Sequence, residues 1–313
     1  MTPSIITVTL NPTIDITYLV NELVFDDTNR AMKVLKDPGG KGIDVSRVIK
    51  ELGGHSKAFV LLGGYTGYEI KDRLKKIGLN LEVINIKGET RTNVIIEDAY
   101  THDQLRINAP GPEISEEERE WFLKKIMSLK PQEGYLVLSG SIPRGFSPDI
   151  YRVLIEEFNR KGFKCILDAD GEPLKEGVKA KPFMIKPNTY ELERLLEVKI
   201  KKIDDYIKAG EKLLSDGIEI VIMSMGAKGA ILATKEGFYR ATPPRVAVQS
   251  TVGAGDSLVG AFVYKYSQKQ DPVDAFKWGV AAGTATALTP GTQLCSKKDV
   301  ENLYKRIRLK KIA

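Results

Sequence analysis

A chain of 313 residues with 42% hydrophobic and 28% charged residues has the composition of an ordinary globular protein and is long enough to bury a large core. The net charge of +6 is a small difference between 47 basic and 41 acidic residues interspersed along the chain, which excludes the clustered basic stripe of a nucleic-acid binder. The cysteines Cys165 and Cys295 and the histidines His55 and His102 stand in no motif, so no disulfide framework, zinc site or Ser-His-Asp triad is expected. No run approaches ~18 apolar residues, so no membrane span is expected. No Lys or Arg precedes Arg30, so no signal peptide is expected and the location is read as cytoplasmic. No linker, low-complexity stretch or repeat divides the chain, and residues 1–313 are read as one domain.

In chain order, residues 4–10 form a β-branched run that predicts a buried first strand, ended by Asn11-Pro12. Ile14, Ile16, Tyr18 and Val20 alternate with polar residues and, with segment 30–36, predict strands of a half-exposed sheet. Gly39-Gly40-Lys41-Gly42 opens a helix whose apolar face is Val45, Val48, Ile49 and Leu52 and which stops at Gly53-Gly54. A strand at 57–62, a helix at 68–77 and short strands at 80–86, 92–98 and 103–108 follow. The last two join the half-exposed strands in a small β-lid of about 12–37 and 88–110. Ser115 and Glu118 make a capping box for a helix carrying Phe122, Ile126 and Leu129.

Strands at 135–139, 163–168, 183–186 and 219–224 then alternate with helices at 148–161, 188–197 and 204–216. That alternation predicts an α/β fold with a mainly parallel sheet, helices on both faces, and ligands at the carboxyl ends of the strands. Residues 229–248 read as short strands. The helix at 273–288 carries Gly279, Ala281, Ala282 and Gly283, small residues that suit either close helix packing or a flat base. The basic run 305–311 reads as the solvated end of a helix.

The stretch on which function turns is 251–257, Thr-Val-Gly-Ala-Gly-Asp-Ser. Leu258, Val259, Phe262, Val263 and Tyr266 follow at helical spacing, so a helix starts close to Ala254. Its first-turn N–H groups lack intrahelical partners, and Gly253 and Gly255 let an anion approach them without a Cβ in the way. Asp256 would compete with that anion unless it has a second task, taking a proton from an attacking hydroxyl. A plain turn into a capped helix is the alternative.

Residues 251–262, together with the Gly-Gly-x-Gly loop at 39–42, resemble the paired signatures of the ribokinase-like (PfkB) family of sugar kinases. The tail with Gly291-Thr292-Gln293-Leu294-Cys295 is similar to the ATP-dependent 6-phosphofructokinase branch of that family. The resemblance implies an ATP-dependent sugar-phosphate kinase that makes fructose 1,6-bisphosphate from fructose 6-phosphate. The alternatives are a kinase of fructose 1-phosphate or tagatose 6-phosphate and, more remotely, a non-enzymatic sugar-phosphate-binding module. It implies Asp256 as base and Gly253, Ala254 and Gly255 as anion hole. Asp15, Arg30, Gly39, Gly40, Lys41, Asp44, Arg91, Arg106 and Ser139 are implied on the acceptor side. Lys186, Asn188, Ser224, Gly226, Gly229, Thr251 and Gly283 are implied on the nucleotide side.

Glu191, with Asn188 acting indirectly, is implied for Mg²⁺; an N-cap with a capping-box glutamate explains the same pair equally well. ATP and Mg²⁺ are the implied cofactors, with K⁺ as a further candidate, and an apolar lid face implies a homodimer through the lid. By the same resemblance an arginine at position 106 fits 6-phosphofructokinases, whereas kinases of fructose 1-phosphate and tagatose 6-phosphate lack one there. Three residues depart from the pattern. Asp44 stands where the family usually has Asn, Thr28 where a lysine is usual in that branch, and Lys41 gives the loop the Gly-Gly-Lys-Gly form of the fructose 1-phosphate kinases.

Overall fold

The computed structural model describes residues 4–101, 103–130 and 133–313; His102, inside the expected lid span, lies outside them. The first half runs β1 (Ser4–Thr9), β2 (Thr13–Val20), β3 (Ala31–Gly39), α1 (Lys41–Glu51), β4 (Lys57–Leu62) and α2 (Gly64–Lys76). Next come β5 (Asn80–Asn85), β6 (Arg91–Asp98), β7 (Gln104–Ile107), α3 (Glu116–Met127), β8 (Gly134–Ser139) and α4 (Ile150–Arg160). They are followed by β9 (Phe163–Asp168), α5 (Glu172–Val178), β10 (Met184–Ile185), α6 (Thr189–Leu196), α7 (Ile203–Ser215) and β11 (Ile220–Ser224). The chain ends with β12 (Ala230–Thr234), β13 (Gly237–Thr242), α8 (Ala254–Lys269), α9 (Pro272–Thr286), α10 (Lys297–Tyr304) and β14 (Arg308–Lys311).

The strands make a ten-stranded sheet, ordered β14-β13-β12-β11-β10-β9-β8-β1-β4-β5, and a four-stranded sheet, ordered β3-β2-β6-β7. From β5 to β11 every pairing in the large sheet is parallel, and β12, β13 and β14 extend it antiparallel. Alternate residues of each buried strand feed two cores, as a parallel sheet covered on both faces requires. Leu136 and Leu138 pack with Phe122, Tyr151, Phe158 and Leu192 from α3, α4 and α6. Tyr135 and Val137 pack with Val45, Val48, Phe262 and Phe276 from α1, α8 and α9 on the other face. The expected α/β fold is the one observed.

Local departures have physical reasons. Helix α2 starts four residues earlier than its periodicity suggests, because Glu89, far along the chain, accepts from the backbone N–H of Tyr65 (3.2 Å) and Thr66 (2.7 Å). Helix α5 was not expected; its short segment has too few apolar positions to show a period. The basic tail is not a helix end. Helix α10 stops at Tyr304, and residues 308–311 pair antiparallel with β13, with Ile307 and Leu309 packing on the core. Lysine and arginine on this outermost strand oppose further edge pairing. Strand β2 is more buried than a half-exposed strand should be, since it pairs on both edges and Ile14 enters a core with Ile43, Ile70 and Leu74.

Close helix contact holds the anion-loop helix in place. At Gly260 of α8 an added Cβ would lie 2.9 Å from the Val45 carbonyl oxygen and 3.0 Å from Val48 Cβ of α1. Gly260→Val is therefore expected to cost about 1–3 kcal/mol, read as a lower denaturant midpoint at unchanged slope; an unchanged midpoint would show that the two helices have room to part.

Candidate active site

A cleft of about 1130 Å³ opens at the carboxyl ends of the parallel strands, with the small sheet along one side. On its floor Thr9 Oγ1, Asn11 Oδ1, Ser139 Oγ and Asp168 Oδ2 are buried without a hydrogen-bond partner among the described residues. Buried polar atoms are ordinarily paired, so such a group concentrated in one cleft marks a ligand site.

The anion loop is built as its glycines require. Gly253, the N-cap of α8, has φ 76°, and an added Cβ would lie 2.6 Å from Leu294 Cδ2. A Cβ on Gly255 would come 3.3 Å from Lys186 Nζ, so a buried ammonium lies against the first turn of the helix. Lys186 Nζ lies 3.4 Å from Asp168 Oδ1, and Lys41 Nζ reaches the same oxygen at 3.0 Å. Burial alone would raise Asp168; Lys186 and Lys41 outweigh it and hold the carboxyl below its ordinary value. Burial works against the charge of Lys41, but Asp168, Asp256 and Glu191 hold it above the usual amine range.

Asp256 is buried in the first turn of α8 and lines the cleft. Burial pushes its carboxyl up to about 7, opposed by Lys41 and Lys186 and reinforced by Asp168 and Glu191. A carboxyl poised near neutrality suits a general base. Asn188 and Glu191 form a complete capping box at α6: Asn188 Oδ1 accepts from the Glu191 N–H at 2.9 Å, and Glu191 Oε2 from the Asn188 N–H at 2.8 Å. Both line the cleft while they cap the helix.

On the acceptor side Asp15 accepts from Asn93 Nδ2 at 2.9 Å, and a Cβ on Gly39 would lie 2.5 Å from Asp15 Oδ2. Gly40 caps α1 at φ 120°, with Thr9 Cγ2 2.7 Å from where a Cβ would be. Arg91 donates from Nη1 to the Ala109 carbonyl (2.8 Å) and from Nη2 to the Asn11 carbonyl (2.9 Å). Arg106 is exposed; its Nη2 donates to Gln104 Oε1 (2.6 Å) and reaches Thr251 Oγ1 at 3.4 Å. Ser139 and Ser224 line the cleft with these residues.

Other expected residues do not reach the cleft wall. Arg30 is exposed in the segment before β3. Gly226 belongs to a tight turn, and Gly229 lets the chain pass the Ala241 carbonyl, 2.0 Å from an added Cβ. Gly283 permits close helix packing, since its Cβ would lie 2.8 Å from the Ala254 carbonyl oxygen. Gly39 and Ala254 support their loops from behind the lining residues. Sequence reasoning missed Asp168, Thr9 and Asn11. The signal for Asp168 was an acid closing an apolar strand, Cys-Ile-Leu-Asp, at the end of the sheet where ligands gather.

The Asp256 carboxyl lies above its ordinary value of 3.8, so the folded chain holds a proton there that the unfolded chain has lost. Stability falls as pH rises through that window. Replacing Asp256 by Asn removes the penalty, and denaturant melts are expected to show a gain of about 2–4 kcal/mol at pH 8 that shrinks toward pH 4. A pH-independent difference would show that the buried charge is not its source.

Known proteins agree with this geometry. Residues 8–299 match the family model described as pfkB family carbohydrate kinase. The chain is 39% identical over 309 residues to the 1-phosphofructokinase of Borreliella burgdorferi, covering 98% of this chain and 99% of the relative. It is 32% identical over 302 residues to the ATP-dependent 6-phosphofructokinase isozyme 2 of Escherichia coli, covering 96% and 97%. The crystal structure of Escherichia coli phosphofructokinase-2 in complex with substrates and products superposes with a TM-score of 0.93 at 32% identity, over 97% of this chain and 99% of that one. With its anion loop, buried carboxylate and lysine pair in one cleft, the chain belongs to the pfkB family of carbohydrate kinases.

Proposed function

We propose that this kinase transfers the γ-phosphate of ATP to the C1 hydroxyl of fructose 6-phosphate. The observation that carries the reading is Arg106, whose guanidinium reaches from β7 to Thr251 of the anion loop. An arginine at this position fits the 6-phosphofructokinase pattern, and a guanidinium binds a phosphate dianion with paired donors. Arg91 also lines the cleft, and its position is fixed by two backbone carbonyls.

In this reading ATP lies past Ser224, Asn188 and Lys186, with its γ-phosphate over the amides of Gly253, Ala254 and Gly255. Asp15, Asp44, Ser139 and Gly40 hold the sugar. Asp256 accepts the C1 hydroxyl proton as the oxygen attacks phosphorus in line, and ADP leaves. Lys41 and Lys186 offset charge on the phosphoryl oxygens, so positioning and electrostatics supply most of the acceleration. The donor set fits magnesium. Among the described residues no three His, Cys, Asp or Glu gather as a metal cage, and a cation that binds mainly phosphate oxygens and water needs few carboxylates. Glu191 and Asn188 would hold it, with the orphaned Asp168 Oδ2 facing the same space. When bound, it neutralises charge on the phosphates.

One observation favours a second reading, a fructose 1-phosphate kinase. The Gly-Gly-Lys-Gly loop places Lys41 on Asp168, and the Borreliella relative of that name is more similar in sequence than the Escherichia coli isozyme. Purified protein assayed side by side with fructose 6-phosphate, fructose 1-phosphate and tagatose 6-phosphate separates the two. Fructose 6-phosphate is expected to give the highest kcat/KM, with Arg106→Ala raising its KM about tenfold, the scale of one charge-assisted bond. A preference for fructose 1-phosphate would overturn the assignment. The kcat/KM profile is expected to rise through about pH 7 as Asp256 loses its proton.

The small sheet exposes Met32, Val34, Leu105 and Ile107, with Phe25 nearby. We further propose that a second copy covers this face as a lid-to-lid homodimer. Sedimentation velocity at micromolar concentration is expected to give a dimer that Ile107→Asp dissociates; a wild-type monomer would exclude it.

A further inference from the structure

The acceptor side of the cleft contains an ion pair of which the roles above use only one member, Asp44. Asp44, in the first turns of α1, is 8% exposed and lines the cleft. Its Oδ1 accepts from Arg47 Nη1 at 2.9 Å, and the same nitrogen donates to the Pro38 carbonyl at 3.0 Å. Arg47 does not line the cleft; one helical turn on, it bonds Asp44 through Oδ1.

Three carboxylates, Asp15, Asp44 and Asp256, therefore share one wall of a site that must take a phosphate dianion. Burial pushes the Asp44 carboxyl well above its ordinary range; Arg47 opposes this, and Asp256 and Asp15 add to it. An unpaired buried carboxylate is costly, and like charges at close range raise the cost. The asparagine usual at this position would avoid both problems, but it can donate as well as accept. An ionised aspartate only accepts.

We propose that Arg47 is the positioning residue that makes an aspartate workable at position 44: it fixes the carboxylate through Oδ1, offsets its charge from outside the cleft, and leaves Oδ2 to accept a hydroxyl of the acceptor sugar. The bond to Pro38 extends the same guanidinium to the end of β3, so the residue just before Gly39-Gly40 is held by the group that holds Asp44. This rests on the proposed reading only in taking the acceptor to be a phosphorylated sugar. It does not depend on which phosphosugar that is.

The test is a double-mutant cycle between Arg47→Ala and Asp44→Asn, run with whichever phosphosugar the wild type turns over fastest, so that an error in the substrate assignment does not affect it. Arg47→Ala is expected to raise the phosphosugar KM at least tenfold, to leave the KM for ATP within twofold, and to lower kcat by less than the KM rises. In the Asp44→Asn background the same change should move the phosphosugar KM by less than twofold, because no buried charge remains to be offset. Arg47→Lys, which keeps the charge, should recover most of the loss; if Arg47→Ala does not fold, Arg47→Lys against Arg47→Gln makes the same comparison. An equal KM rise in both backgrounds would overturn the proposal by showing that Arg47 acts through Pro38 and the loop alone. No KM rise in either would overturn it as well.

Discussion

The cleft depends on one buried charge. Asp168, at the carboxyl end of β9, is enclosed on its side chain and takes both Lys41 and Lys186 on the same oxygen. Without it, two ammonium groups would stand against the anion loop with only Asp256 and Glu191 to balance them. Asp256, whose carboxyl is raised first by burial, would then lose the further upward push of the Asp168 charge. With Asp168 taking both lysines, Lys186 lies close to the first turn of α8, while burial holds the Asp256 carboxyl up to about 7. The arrangement stores cationic charge for a phosphate without committing it to the base.

The backbone around that charge is equally constrained. Leu294 packs under Gly253, Thr286 Oγ1 bonds Ser257 Oγ at 2.6 Å, and the Cys295 N–H donates to Thr286 Oγ1 at 3.1 Å. The same segment leans on the small sheet, where Thr292 Oγ1 donates to Asp37 Oδ2 at 3.2 Å and Gly291 sits against Thr17 and Leu35. Residues 286–295 thus brace the anion loop and β2 and β3 together, and the contact of Arg106 with Thr251 is a second tie. A shift of the small sheet cannot leave the anion loop undisturbed. Phosphoryl transfer requires acceptor and donor to be aligned together, and such ties would fix the two sides of the cleft relative to one another.

Much of this was legible in the sequence, for identifiable reasons. The parallel sheet followed from β-branched runs alternating with helical periods, the anion loop from glycines at a helix start, and α3 and α6 from capping boxes written within four residues. What was not legible depended on residues distant in sequence. The cap of α2 comes from Glu89. Glu89 and Asp168 look in the sequence like any other acid, and only folding sets one on a helix start and the other between two lysines. The basic tail carried a pattern, Ile307 and Leu309, too short to distinguish an edge strand from a helix end. Gly283 suited close packing or a flat base in the sequence, and the fold shows the packing, its missing Cβ making room for the Ala254 carbonyl.

The identity of the acceptor is harder to read than the fold, and chemistry explains why. Fructose 6-phosphate and fructose 1-phosphate each carry a phosphate at one end of a furanose and a primary hydroxyl at the other. Turned end for end, either can present a primary hydroxyl to the proposed base Asp256 and a dianion toward the arginines, so the proposed base and anion loop would serve both. Discrimination must come from where the clamp meets the phosphate and from groups that read the ring hydroxyls between the two ends, and each such contact is worth only about 1 kcal/mol. Arg91, with both terminal nitrogens bound to backbone carbonyls, has little freedom to follow a change in phosphate position, whereas Arg106 is exposed and held by one side chain on its own strand and one on the anion loop. In the proposed reading, selectivity between the two sugars therefore rests on few residues, namely Arg106 at one end and the wall of Asp15 and Asp44 along the ring.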